Sequence, residues 1–350
     1  MQVYRNKPEQ YLSNLIGHEG EGSLHHALNT RGWIEGLGAG SQDLDRNNSL
    51  LTVNIELTEA GRNHVKEITD LLFQYFEMLR AQPPQNWLYQ EQAKVAELSF
   101  RFQEKGSTVG FVYQMAPSLD LYPAEDLLVA PYLMEAFDPA LIENFLGYLR
   151  PDNVLLEVTA PDSVTDQVEP WFEVPFTLNQ TPLPRQAVSN ATLRLPDVNP
   201  YLPEKLELVA ADERIMRRMI DQPELELWLD TDVEFGTPRA NMTVGFLTPN
   251  GLLGAADRAQ AWLYQRLVND ALSATIYPAY LAGLGYSIDV ADSGFAISVS
   301  GYQDKQMALL DTVAEKLLNA EISTDRFITI KASLIKDWRN SRKDKPYVQA

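Results

Sequence analysis

The sequence predicts an α+β protein made of two homologous domains, each an antiparallel sheet backed by helices. Three observations predict it. A strand with period-two alternation near residue 50 is followed by amphipathic helices. The same order returns about 240 residues later, a spacing that marks a duplicated domain rather than a solenoid, whose repeats run to only ~20–50 residues. Finally, 350 residues with 45% hydrophobic and 22% charged side chains have the composition of a folded globular chain with room for two cores.

Taken in order, Ser23 is placed to cap a helix through Leu24 and Leu28, which closes on Leu28-Asn29-Thr30-Arg31-Gly32-Trp33 with Gly32 where a left-handed C-cap is wanted. Leu51, Val53, Ile55 and Leu57 alternate with polar residues, so Leu50 to Leu57 is a strand with one buried face. Thr58 then caps a helix carrying Ile68, Leu71, Leu72, Tyr75, Phe76 and Leu79, ended by Pro83-Pro84. The aromatic residues of that helix are accounted for as core. A second amphipathic helix runs from Asn86 to Phe102.

Residues 181–203, rich in Pro, Asn, Thr and Ala and without either hydrophobic period, are expected to link a first unit (1–180) to a second (204–350). Beyond them, Leu225, Leu227 and Leu229 alternate, as do Met242, Val244 and Phe246, which predicts a β-hairpin around a long loop containing Gly236-Thr237-Pro238. Leu252 to Ile276 predicts a long helix buried on Trp262, Leu263, Leu267 and Leu272. The closing string Leu281-Ala282-Gly283-Leu284-Gly285-Tyr286 repeats the glycine-then-strand step seen at Gly32. Phe295, Ile297 and Val299 form the next strand, and helices follow from Gln303 to Leu318 and from Thr324. The first copy is short before its glycine step and the second is short at its end, so the chain is expected to begin inside one domain and stop inside the next.

Charge and composition narrow the function. With 48 acidic and 29 basic residues the formal net charge is −19, which repels phosphate backbones and anionic lipid; nucleic acid and membrane are excluded as partners. Apolar stretches such as Leu127-Leu128-Val129-Ala130 fall far short of the ~20 residues a spanning helix needs. The absence of cysteine removes disulfides, thiolate metal sites and cysteine nucleophiles, and leaves the compartment open.

The four histidines are His18, His25, His26 and His64. A helical zinc site needs His-Glu-x-x-His or its inverse, so that two imidazoles share a face with a general base between them. Neither string occurs: after His18-Glu19 the expected second histidine is Gly22, and Gly20 and Gly22 break the helix. No metal ligand is assigned, and the histidines are read as residues of a glycine-rich turn and a surface helix. Gly17-His18-Glu19-Gly20-Glu21-Gly22-Ser23 resembles a phosphate loop but lacks its lysine and carries two glutamates. No Gly-x-Ser-x-Gly elbow is present. No catalytic residue or acid/base pair is assigned; the basic-leaning stretch at Asp304-Lys305 and from Arg339 to Lys345 is read as a solvated helix end.

Five strings carry a resemblance. Tyr11 to Gly20 followed by Gly22-Ser23-Leu24, and Arg31-Gly32-Trp33-Ile34-Glu35-Gly36-Leu37-Gly38-Ala39-Gly40, resemble the second domain of the pitrilysin and insulysin family of inverted-motif zinc peptidases. Leu281 to Ile288 and Val299 to Gln306 resemble the third. The resemblance implies a protease of four homologous domains closing around a chamber, with the zinc held in a first domain that is not in this sequence. No cofactor is then expected in this chain, and zinc is expected in the parent enzyme. It further implies that this chain forms chamber wall, partners the catalytic domain of the same parent chain, and binds peptide substrates by pairing an edge strand with them. The anchoring positions it implies are Gly17, Glu19, Leu37 and Ala39. Ala39 stands where a relative has glycine, and Asn14 and Ser41 also differ. Gly17 and Leu37 equally suit ordinary turn and core residues. Bacterial members point to the periplasm, with the cytoplasm left open. The alternative function is a stand-alone scaffold protein of the same fold without peptidase activity.

Overall fold

A computed structural model describes residues 3–45, 48–104, 106–180, 182–188, 192–208, 213–248 and 254–343. In chain order the elements are α1 (Pro8–Ile16), α2 (Leu24–Thr30), β1 (Ile34–Asp43), β2 (Ser49–Leu57), α3 (Val65–Arg80), α4 (Asn86–Arg101), α5 (Thr108–Met115), α6 (Pro139–Leu146), β3 (Gln167–Val168), β4 (Pro175–Phe176), β5 (Met216–Gln222), β6 (Leu225–Asp230), β7 (Arg239–Leu247), α7 (Ala255–Leu281), β8 (Gly285–Ala291), β9 (Gly294–Tyr302), α8 (Gln306–Leu318) and α9 (Thr324–Ser341). Among the described residues no helix is long and apolar enough to cross a membrane. The chain divides into two compact units, Met1–Tyr89 with Met134–Pro196, and Gln90–Leu133 with Asp197–Ala350.

In the first unit Ser23 caps α2 as its sequence position requires, its hydroxyl accepting from the His26 amide at 3.0 Å. Gly32 then turns the chain with φ 68°, a left-handed conformation that glycine adopts without a Cβ clash. β1 and β2 pair antiparallel from Ile34↔Leu57 to Asp43↔Ser49, with an irregularity between Ile34 and Gly36. The extra residue resets the alternation, so that Ile34 and Leu37, three apart, are both buried. The face of β2 expected to be buried is only half-buried.

Thr58 bonds both ways at the end of β2. Its hydroxyl donates to the Gly32 carbonyl at 2.7 Å and accepts from the Gly61 amide at 3.0 Å. What it caps is a 3₁₀ turn, Gly61–His64, so the α-helix starts at Val65, later than the cap alone predicts. α3 buries Ile68, Leu71, Tyr75, Phe76 and Leu79, the apolar face read from its period, and packs against α2 and α6. The Tyr75 hydroxyl donates to the Leu15 carbonyl at 2.8 Å in full burial, which pushes the phenol's pKa up. Of the segment expected as linker, Arg185 lies against α3: its guanidinium contacts the buried Asp70 carboxylate at 2.9 Å and covers the Phe73 ring.

In the second unit β7, β9 and β8 form one antiparallel sheet with β9 in the middle. Its inward residues Ile288, Ile297 and Val299 pack on Val268 and Leu272 of α7 and Leu309 and Val313 of α8, with Tyr201 and Leu98 completing the core. Buried Gln306 fixes the start of α8 by donating to the Gly301 carbonyl at 2.9 Å and to that of Ala240. The structure corrects the expected hairpin. β6 does not pair with β7. It pairs with β5 across the two-residue turn Pro223-Glu224, while β7 pairs with β9, where Phe246 stacks on Phe295 at 4.8 Å. α7 also differs, extending to Leu281 and burying Leu267, Val268, Leu272, Ile276 and Ala279. Trp262 instead meets Trp338 of α9 edge-on near the surface. The predicted start of that helix at Leu252, and Asp344 and Lys345 of the basic stretch, lie outside the described residues.

The repeat inferred from sequence has a structural counterpart. The order α2-β1-β2-α3-α4 returns as α7-β8-β9-α8-α9, with a 3₁₀ turn before the fourth member, α3 or α8, and a left-handed glycine, Gly32 or Gly283, before the first strand.

Candidate functional site

The candidate site is the junction of the α1 C-terminus, the glycine-rich turn after it and the free edge of β1. β1 pairs with β2 along one edge, and no described strand pairs with the other. Opposite β2, its inward residues Leu37 and Ala39 face Ile55 and Val53, whereas Gly36, Gly38 and Gly40 face Glu56, Asn54 and Thr52. A Cβ added to Gly38 or Gly40 would meet nothing within 4 Å, so one face of this strand is bare backbone. Ten residues of strand with an unpaired row of amides and carbonyls form a template for another extended chain.

Gly17 ends α1, its amide donating to the Ser13 carbonyl at 2.9 Å. Its φ of −84° is open to any residue, so glycine is required here for space. An added Cβ would stand 3.2 Å from the Ser13 oxygen and 3.3 Å from the Ala39 nitrogen, tighter than ordinary contact. Gly17 and Ala39 are therefore brought together by the close approach of α1 to β1. Leu37 is buried, 8% exposed, and turned into the core. It shapes the strand and presents only its main chain to the free edge.

Glu19 is half-buried on the turn, and its carboxylate makes no hydrogen bond or ion pair among the described residues. Burial pushes its pKa up, the electrostatic mark of a charge without a partner. Two histidines hold the turn from inside. The Gly20 amide donates to His18 Nδ1 at 3.0 Å, and the His25 ring is hydrogen-bonded to the Glu19 main chain. Burial lowers both imidazole pKa values, that of His18 to about 4, so both rings are neutral near pH 7. The sequence places His18 in a glycine-rich turn, but the bond by which its ring holds the Gly20 amide is visible only in the fold. The turn does not offer its amides to an anion, because those of Gly20, Ser23 and His26 bond to His18, Gly20 and Ser23. His64 is stacked on Trp33 at 4.4 Å and bonded to Glu67. Among the described residues no group of His, Cys, Asp and Glu side chains could hold a metal ion.

Comparison with known proteins gives a consistent result. A family model described as the peptidase M16 inactive domain matches residues 1–95, and one described as the middle or third domain of peptidase M16 matches residues 100–350. The chain is 33% identical over 359 residues to insulin-degrading enzyme-like 1, peroxisomal, of Arabidopsis thaliana, with 99% of this chain and 37% of that protein covered. It is likewise 33% identical to insulin-degrading enzyme of Homo sapiens, covering 99% of this chain and 35% of the relative. The chain thus spans about a third of the length of these relatives. The crystal structure of pitrilysin superposes with a TM-score of 0.80 at 21% identity, over 99% of this chain and 38% of that one, which shows a shared α+β fold.

Proposed function

The chain belongs to the M16 peptidase family, spanning its inactive and middle domains, and from that premise we propose that it holds peptide substrates without cutting them. The observation that carries the proposal is the conjunction of a glycine-faced free strand edge with one half-buried, unpartnered carboxylate on the turn whose Gly17 abuts Ala39 of that strand. An extended peptide adds to β1 by main-chain hydrogen bonds, and its terminal ammonium is neutralised by Glu19. Gly17 and Ala39 keep α1 close to the strand, and Leu37 anchors the strand from its inner side. Recognition by main chain and amino terminus accepts peptides of many sequences.

The two units serve as wall of a substrate chamber whose catalytic part belongs to the longer parent protein. The zinc that the family's chemistry uses is placed there too. The described residues of this chain do not fit it: no three of their His, Asp and Glu side chains are grouped to hold a metal ion, and the Nδ1 atoms of His18 and His64 are engaged.

Two measurements test this reading. Glu19→Gln is expected to weaken binding of a peptide with a free amino terminus about tenfold, the order expected for one charge-assisted hydrogen bond, and to leave an N-acetylated peptide unaffected. Equal affinity of wild type and variant for the free peptide overturns the anchor. A quenched peptide incubated with the pure 350-residue chain and zinc is expected to stay intact; chelator-sensitive cleavage overturns the non-catalytic reading.

A further inference from the structure

Against the same turn lies a residue far away in sequence. Gly22 is buried in a left-handed conformation, φ 81°, and what covers it is the side chain of Arg194. An added Cβ on Gly22 would collide with Arg194 Cγ and lie 3.2 Å from its Cδ and Nε. The Arg194 amide donates to the Gly22 carbonyl at 2.9 Å, and its guanidinium reaches the Glu21 carboxylate at 3.5 Å and the Leu195 carbonyl at 3.4 Å. The turn is thus held by two buried imidazoles and by Arg194, which is joined to it through main chain, aliphatic stem and charge.

We infer that Arg194 is a positioning residue for Glu19 and sets the preference for a free amino terminus; the inference rests on the anchor reading above. The turn carries two carboxylates two residues apart, Glu19 and Glu21, and either can attract an ammonium group. Arg194 pairs with Glu21 and leaves Glu19 unpaired. Without that counter-charge the exposed Glu21 becomes a second, competing site off the strand edge. Without the stem over Gly22 the turn loses its outer cover, and Glu19 is no longer fixed relative to β1.

The test uses the 350-residue chain and two labelled peptides of one sequence, one with a free and one with an acetylated amino terminus, read by fluorescence anisotropy. Arg194→Ala is expected to weaken the free peptide roughly fivefold and the acetylated one less than twofold, so that discrimination between them falls. Arg194→Lys, which keeps stem and charge, is expected to recover most of that loss. Gly22→Ala, which expels the stem and strains the turn, is expected to match Arg194→Ala. Unchanged discrimination in Arg194→Ala overturns the inference. So does an equal loss for both peptides in Arg194→Ala and Arg194→Lys, which marks a purely structural role. If Glu19→Gln has no effect, the anchor reading falls and takes this inference with it; if Glu19→Gln weakens binding but Arg194→Ala does not, only the role of Arg194 falls.

Discussion

His18 shows how one side chain ties the turn to pH. Its ring is 5% exposed and accepts the Gly20 amide, and burial holds its pKa at about 4 against an ordinary 6.5. Between those values the unfolded chain binds a proton that the folded chain does not, so stability falls as pH falls. The contribution is complete above about pH 6.5 and lost below about pH 4, and amounts to about 3 kcal/mol. Urea unfolding between pH 7 and 4 should show this decline. His18→Asn, whose carbonyl oxygen can accept the same amide but does not titrate, should flatten it; an unaltered slope removes His18 as its source. Sequence spacing alone could not give this. It shows that His18 precedes a glycine turn, but the burial of its ring is a property of the folded chain.

At the scale of elements, glycines separate two kinds of constraint. Gly32 needs its left-handed φ but has open space around it, whereas Gly61 has ordinary helical geometry and would drive a Cβ into the Trp33 carbonyl. Gly32→Ala should therefore cost about 1 kcal/mol and Gly61→Ala about 3 kcal/mol or more, measured by thermal unfolding. The reverse order would show that strain at the C-cap outweighs the collision. The Gly32 step was legible because a helix period, a glycine and a strand period follow one another in sequence. Gly61 was not, since its constraint comes from a carbonyl 28 positions earlier. The misread hairpin has the same origin. The alternation of Leu225, Leu227 and Leu229 correctly marks a strand, but Met216 to Gln222 has no period of its own, and β7 finds its partner in β9 more than 40 residues on. Likewise the positions of Gly17 and Ala39 came from family strings, and only the fold shows that they touch.

For the whole molecule, the charge of −19 and the exposed apolar surface act against each other. Leu225, Leu227 and Leu229 lie on one face of the β5–β6 hairpin and are each about half exposed, with Trp228 opposite them. A contiguous apolar face of this kind drives association, and like charge opposes it. Sedimentation of the isolated chain should show self-association that rises with salt, as the repulsion is screened over roughly 10 Å at 0.1 M. Leu227→Lys should suppress it. Association that falls with salt would place the contact between charged surfaces elsewhere.

If an extended peptide adds to β1 as proposed, the bare face of that strand would set what a substrate can do to avoid this protein. On that side the peptide would meet Gly36, Gly38 and Gly40, so exchanging its side chains there would change almost nothing in the contact. Escape would then require altering the main chain: a proline or an N-methylated residue at every second position, where the amide faces the edge, would remove a hydrogen bond. A peptide population drifting in sequence would stay within reach, whereas one whose backbone or amino terminus is chemically blocked would leave it at once.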